Sequence, residues 1–454
     1  MLKENIMACL KQKDMETLKT LLASAEEVEI LNILYELDPK EEVIVFRLLS
    51  KDVALSVFEE LDTEDQQNLM RSFTEKQAIE LVNELAPDDR VRLLDELPAA
   101  VAKKMLASLS HEEREMTNLL LGYELQTAGR IMTPEYVSLS KELTAEQALE
   151  RVKSFAIEKE TIYTLYITDT SMKLEGVLSL RDLLIASPSA TLEEIMEKIS
   201  VTVSTDTDQE EVAKLLQKLD WLAIPVVDKE DRLVGIVTVD DAMDILQDEA
   251  TEDLFTQSGI LASKESNRSE VLIRGSLWDI WKVRLPFLLI TIVGGMISAT
   301  VIGGFEDILA ASVAVAPFIP LIMDLGGSVG TQSSTVFARG VALGHINMGQ
   351  FVKHFAKEIA VGASLGTITG IIAGVIATVL QGSEAQLIGL AVGLSVVVTT
   401  TLASLLGFLV PFVLVKRNID PAAGASPIIT SIKDISGLVV YFVFASIFLG
   451  HLIY

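Results

Sequence analysis

The chemistry-bearing residues of this chain are carboxylates placed where carboxylates are costly or crowded. Asp434 stands inside "PIITSIKDISGLVVYFVFASIFLG", an apolar run from Pro427 to Gly450. A carboxylate at membrane depth costs about 2.5–3.5 kcal/mol on insertion scales, so such a residue is read as functional. Upstream, "VDDAMDILQDEATED" places Asp240, Asp244, Asp248 and Glu252 at successive four-residue steps. Like charges stacked on one helical face repel by a few tenths of a kcal/mol per pair. A solvated face accounts for such a row, and so does a surface that binds cations. The only cysteine is Cys9 and the histidines are His111, His345, His354 and His451. With oxygen ligands dominant and soft ligands scarce, the chemistry suits a hard cation rather than a softer metal.

A third feature is "PFIPLIMDLGGSVGTQSSTVFARG". Pro317, Pro320, Gly326, Gly327 and Gly330 predict a broken helix, and Gln332, Ser333 and Ser334 bring side-chain oxygens beside the break. Irregular backbone at membrane depth is tolerated only where it is buried in protein or lines a wet cavity. Enzyme chemistry finds no support. "HEERE" at 111 lacks the second histidine of a metalloprotease helix, and no P-loop or serine–histidine pairing stands out.

The elements that carry these residues fall into distinct blocks. Net charge is −27 over 454 residues. From Arg284 onward seven acids (Glu306, Asp307, Asp324, Glu358, Glu384, Asp420, Asp434) balance seven bases (Arg284, Arg339, Lys353, Lys357, Lys416, Arg417, Lys433). The whole negative charge therefore belongs to residues 1–283. Cations suit so acidic a surface, and nucleic acid does not. A single cysteine excludes an internal disulfide and fits a cytosolic location for the acidic part. "MLKENIMACLKQKDMETL" has no apolar core of signal-peptide length.

Residues 1–128 read as short amphipathic helices in series, a stacked superhelical array or a plain bundle. Beyond "TAGRIMTPEYVSLS" a strand–turn–strand–helix order occurs twice, in "TIYTLYITD…LEGVLSLRDLL" and "WLAIPVVDKEDRLVGIVTVDDAMDIL". The two copies resemble tandem CBS domains, at 129–190 and 191–255. Residues 256–283 then form a polar link and an amphipathic connecting helix, with Trp278 and Trp281 suited to a membrane interface. Five apolar spans follow within 284–454, near 285–304, 308–325, 357–381, 386–415 and 427–450. Gly362, Gly366, Gly370 and Gly374 give the third span a groove for a close helix neighbour. Basic residues flank the even-numbered turns and acids the others, which predicts a cytoplasmic N-terminus and an external C-terminus. Asp434 lies roughly 10 Å along its helix from Pro427. Lys433 points about 100° away from it and is expected to snorkel toward the cytoplasm.

A helical N-domain, paired CBS domains, a connecting helix and five spans resemble the MgtE family of magnesium channels. The motifs that carry the likeness are "FIPLIMDLGGSVGTQSS", "IDPAAGASPIITSIKDISGLVVYF" and "VTVDDAMDILQDEATEDL". The resemblance implies a multi-domain membrane protein with an α-helical superhelical N-domain, tandem α/β CBS domains, a connecting plug helix and a five-helix transmembrane domain. It also implies a homodimer in the cell membrane that takes up Mg²⁺ and is closed by Mg²⁺. The carboxylate of Asp434 would line the pore, with Asp324, Gly326, Gly327, Ser328, Thr331 and Gln332 around it. Ser328 and Thr331 stand where the family usually shows asparagine. Regulatory Mg²⁺ would be held by Asp208, Glu210, Asp220, Asp241, Asp244, Glu249, Glu252 and Asp253, faced by Asp420, with Asp88 and Asp89 contributing from the N-domain. By the same resemblance ATP would meet Arg181, Asp182, Trp221 and Pro225. The competing readings are a transporter of Co²⁺ or Mn²⁺, and a membrane Mg²⁺ sensor that does not conduct.

Overall fold

The computed structural model describes residues 2–12, 14–61, 63–156, 159–260, 272, 276–381, 385–417, 421 and 427–449. The chain divides into two compact units, Met1–Glu249 and Ala250–Tyr454.

Among the described residues the first unit opens with ten short helices between Leu2–Gln12 and His111–Leu121. Breaks fall where the sequence supplies caps and prolines. Thr74 closes a capping box with Gln77, Pro39 and Pro87 occupy first-turn positions, and Ser110 accepts from the amide of Glu113. Each helix is too short to persist alone. The array holds together through a shared core that includes Ile6, Leu18, Ile30, Phe58, Leu69 and Val82.

The repeated pattern gives two small sheets. In the first, β1 (Val137–Ser140) runs parallel to β2 (Thr164–Thr168), followed antiparallel by β3 (Leu174–Ser179) and β4 (Glu197–Lys198). In the second, β5 (Val203–Ser204) runs parallel to β6 (Ala223–Val227), with β7 (Leu233–Thr238) antiparallel to it. The two modules exchange segments. Ala128 and Met132 pack into the second core, and the amide of Thr133 donates to the carbonyl of Ile236 at 2.8 Å. Leu192, in turn, belongs to the first core. Burial thus ties each copy to the other. The helix Val239–Gln257, which carries the acidic row, follows directly on β7.

Among the described residues the second unit holds five helices long and apolar enough to cross a membrane: Leu277–Gly303, Ile319–Ala342, Phe351–Gln381, Ala385–Val415 and Pro427–Leu449. They are called spans one to five below. Leu277–Arg284 form the opening turns of the first span, and 261–271 and 273–275 of the expected linker and connecting helix lie outside the described residues. One sequence expectation changes here: the second span is unbroken through Gly326, Gly327 and Gly330. The irregular backbone comes earlier, in the 3₁₀ turn Val313–Phe318 that contains Pro317, and Pro320 sits in the first turn of the helix, where a missing N–H costs nothing.

The glycines serve close approach instead. Those of the third span meet the fourth: a Cβ at Gly370 would stand 2.6 Å from the carbonyl oxygen of Gly393, and one at Gly374 2.8 Å from that of Gly389. The expected small-residue groove is therefore the seam between these two spans.

Candidate functional site

Asp434 is half-buried on the fifth span. Its Oδ1 lies 3.3 Å from the point where a Cβ at Gly327 would stand, so the bare backbone of the second span leaves room for the carboxylate. Lys433 departs from its expected position. It is 1% exposed, and its stem fills the notch left by Gly330, where a Cβ would stand 2.6 Å from Cε and 2.8 Å from Nζ. The stem turns inward because the groove beside Gly330 accepts it, which removes apolar surface that snorkelling would leave uncovered. Nζ hydrogen-bonds to no described residue, Asp434 included. Asp434 is therefore not locked to its basic neighbour. The charges that act on it are Lys433 and Asp324.

On the second span, Asp324, Ser328, Thr331 and Gln332 share one helical face by their spacing, and all four are exposed in the single chain. Gly327 belongs to that face and Gly326 is buried against Thr399. A polar stripe on a spanning helix is unfavourable against lipid, so water or protein must cover it. Five of the six residues expected around Asp434 thus border it or continue the face that leads from it. Gly326 alone packs away from it.

The first unit carries a second acidic constellation. Asp88 and Asp89 open the helix Pro87–Glu96, and their charges act on Asp241, Asp240 and Asp244 of the helix Val239–Gln257. Burial, then the repulsion of Asp241, Asp89 and Glu160, pushes Asp88 well above the usual carboxylate range. Burial also raises Asp241 to about 7, against a lowering hydrogen bond donated by Thr238 at 2.6 Å. Glu160 and Glu59 are each pushed up to about 7, mainly by burial. Arg92 is the cation set among them, 2.7 Å from Asp89 and 3.9 Å from Asp244. Oδ1 of Asp88 is buried without a hydrogen-bond partner. Such an atom fits a site for water or a cation. Among the described residues no three acids stand close enough to ligate one ion directly.

The remaining expected ligands are more dispersed. Asp208 caps the helix Gln209–Leu219, Asp220 ends it in the left-handed region, and Glu210 pairs with Lys214 at 2.5 Å. Glu249 accepts from Gln209 at 3.0 Å. Glu252 and Asp253 follow on the same helix, past Glu249 where the first unit ends, and Asp420 lies outside the described residues. Of the nucleotide candidates, Arg181 stands exposed with its Nε 3.8 Å from Asp182, which also accepts from Ser179. Trp221 packs against the second CBS core, and Pro225 is buried in β6. Sequence reasoning missed Glu59 and Glu160. Neither sits in a motif, and only the packing of distant segments brings them to Asp89 and Asp241.

A multi-pass membrane domain joined to paired CBS domains and an acidic helical domain, with a carboxylate set against backbone in its spans, defines a membrane cation-transport protein. Family models agree along the chain. "Divalent cation transporter" matches residues 319–444, "MgtE intracellular N domain" matches 25–126, and "CBS domain" matches 128–189 and 192–248. The chain is 35% identical to the magnesium transporter MgtE of Thermus thermophilus over 73% of its own length and 72% of that protein. It is 33% identical to the magnesium transporter MgtE of Bacillus subtilis, over 76% and 75%. The cytosolic domain of the Mg²⁺ channel MgtE in complex with ATP superimposes with a TM-score of 0.52 at 36% identity, covering 54% of this chain and 99% of that one. The chain belongs to the MgtE family.

Proposed function

We propose that this protein conducts Mg²⁺ across the cell membrane as a homodimer, with Asp434 in the wall of the ion pathway. The observation that carries this reading is an intramembrane carboxylate that faces Gly327 and is not hydrogen-bonded to its lysine neighbour, beside an exposed polar stripe of Asp324, Ser328, Thr331 and Gln332. Mg²⁺ sheds water reluctantly and favours one or two carboxylates while keeping much of its shell. An aspartate in a wet, glycine-lined groove offers charge without demanding dehydration. A second copy of the chain would cover the stripe and supply the second carboxylate.

The acidic constellation supports closure by internal Mg²⁺. Asp88, Asp89, Asp241 and Asp244 repel one another when ionised, so a divalent cation favours the arrangement that brings them together. Its effect on the pathway equals its differential affinity for the closed and open arrangements. Asp208, Glu210, Asp220, Glu249, Glu252, Asp253 and Asp420 complete the proposed regulatory set. The relative solved with ATP supports a nucleotide site on the CBS pair, where Trp221 offers a stacking face and Arg181 a phosphate partner. The loop charges favour a cytoplasmic N-terminus and an external C-terminus.

The test is ion uptake by proteoliposomes that hold the full chain, with Mg²⁺, Co²⁺ and Mn²⁺ offered separately. Mg²⁺ entry that is lost in Asp434→Ala supports the channel. Binding of Mg²⁺ to the protein without entry would make it a sensor, and preference for Co²⁺ or Mn²⁺ would change the substrate.

A further inference from the structure

Asp434 is not the sole acid held within the spans. Glu358 lies seven residues into the third span, roughly 10 Å from Phe351 along the helix. Its carboxylate oxygen Oε1 accepts a hydrogen bond from the hydroxyl of Ser333 on the second span at 2.6 Å. Ser404 on the fourth span donates to the main-chain oxygen of Glu358 at 3.0 Å, and its hydroxyl lies 3.4 Å from Oε1 and 3.1 Å from that of Ser333. Ser333 is 2% exposed and Ser404 is fully buried. One carboxylate therefore gathers three spans at a single level of the bundle. Beside it, Ser334 donates to the carbonyl of Gly407 at 2.8 Å, a second tie between the second and fourth spans.

The position of this knot matters more than its strength. Ser333 immediately follows Gln332 and stands three residues beyond Gly330, six beyond Gly327. The second span thus presents one face to Glu358 and Ser404, while Gly327 and Gly330 of the same helix form the groove for Asp434 and Lys433. Glycines offer no side chain to set the rotation or height of a helix. Hydrogen bonds to a fixed acceptor oxygen do, because they set both distance and direction. A carbon chain at position 358 would offer Ser333 no acceptor oxygen.

We infer that Glu358 is a positioning residue of the ion pathway: by holding Ser333 it fixes the second span so that Gly327 meets Asp434 at the right distance. The inference rests on the proposed pathway at Asp434. A helix released from this tie can turn or slide, and an ion site tuned to a hydrated divalent cation loses discrimination before the fold is lost.

The experiment measures initial Mg²⁺ uptake and the Mg²⁺-to-Ca²⁺ uptake ratio in proteoliposomes holding full-length Glu358→Ala, Glu358→Gln and Ser333→Ala. Glu358→Gln keeps the acceptor oxygen without the charge. Glu358→Ala is expected to lower Mg²⁺ uptake by about tenfold or more and to lower the ratio, with Glu358→Gln near wild type and Ser333→Ala moving in the direction of Glu358→Ala. If Glu358→Gln fails as badly as Glu358→Ala, the charge itself is required and the positioning role is overturned. Unchanged uptake and ratio in Glu358→Ala overturn it too. Should Glu358→Ala not fold, Ser333→Ala decides: a lowered ratio supports the role and an unchanged one overturns it. Asp434→Asn runs alongside. If it transports normally, the pathway and this inference fall together. If it is dead while Glu358→Ala is normal, only this inference falls.

Discussion

The side chain of Lys433 occupies the notch that Gly330 leaves in the second span, with its ammonium 2.8 Å from where a Cβ at Gly330 would stand. A methyl group at position 330 collides with a buried stem that has little room to move. Gly330→Ala is therefore expected to destabilise the detergent-solubilised chain by about 1–3 kcal/mol, as overpacking does. Lys433→Ala vacates the same space, so the double variant should recover much of that loss. Thermal unfolding of the four proteins gives the coupling directly. Additive effects would contradict the packing.

The acidic constellation predicts an unusual dependence on pH. Asp241, Glu160 and Glu59 titrate near 7 in the folded chain, well above the ordinary carboxylate range. A folded state that holds its protons more tightly than the unfolded one loses stability as pH rises. The loss begins near the unfolded values of about 4 and is complete somewhat above pH 7. Unfolding of the Mg²⁺-free chain should therefore become easier across that window. Added Mg²⁺ should restore stability chiefly at the alkaline end, where the acids are ionised. A Mg²⁺ effect that is equal at pH 5 and pH 8 would contradict this.

Asp88 sharpens the point, since one of its oxygens is buried without a partner. Asp88→Asn removes a repelling charge while keeping the shape. The variant should be more stable than wild type in Mg²⁺-free buffer at pH 8 and should gain less from added Mg²⁺. Calorimetry with and without Mg²⁺ checks both signs at once.

Closure by internal Mg²⁺ predicts a gating phenotype for the acidic helix. Neutralising Asp244 and Glu252 together should leave a channel that stays open as internal Mg²⁺ rises. Patch recordings on the double variant provide the check, and unchanged closure would count against the mechanism.

The fold was largely legible because its signals are local and periodic. Long apolar runs marked the five spans, although the second runs Ile319–Ala342 rather than the expected 308–325, and the repeated strand–turn–strand–helix order marked the CBS pair. The exchange of Ala128 and Met132 for Leu192 between the two CBS cores was not legible, since linear boundaries cannot show which core a short segment joins. Glycine and proline in the second span were read as a break because each weakens an isolated helix. In the bundle the glycines admit Thr399, Asp434 and Lys433 as neighbours, and tertiary packing outweighs propensity. Asp434 announced itself by its apolar surroundings. Glu358 stands at the start of the third span expected at 357–381, where it entered only the charge count. Its meaning depends on Ser333 and Ser404, distant in sequence. Lys433 was placed by its length and charge alone, whereas its position depends on a groove in another helix.

The central claim is that a divalent cation passes the carboxylate of Asp434. Recording currents from full-length protein in planar bilayers, with Mg²⁺ as the permeant cation and internal Mg²⁺ kept low, tests it most directly. Wild type is expected to pass Mg²⁺ current that Asp434→Asn, equally folded and equally inserted, does not. A Mg²⁺ current of undiminished size in Asp434→Asn would contradict the account.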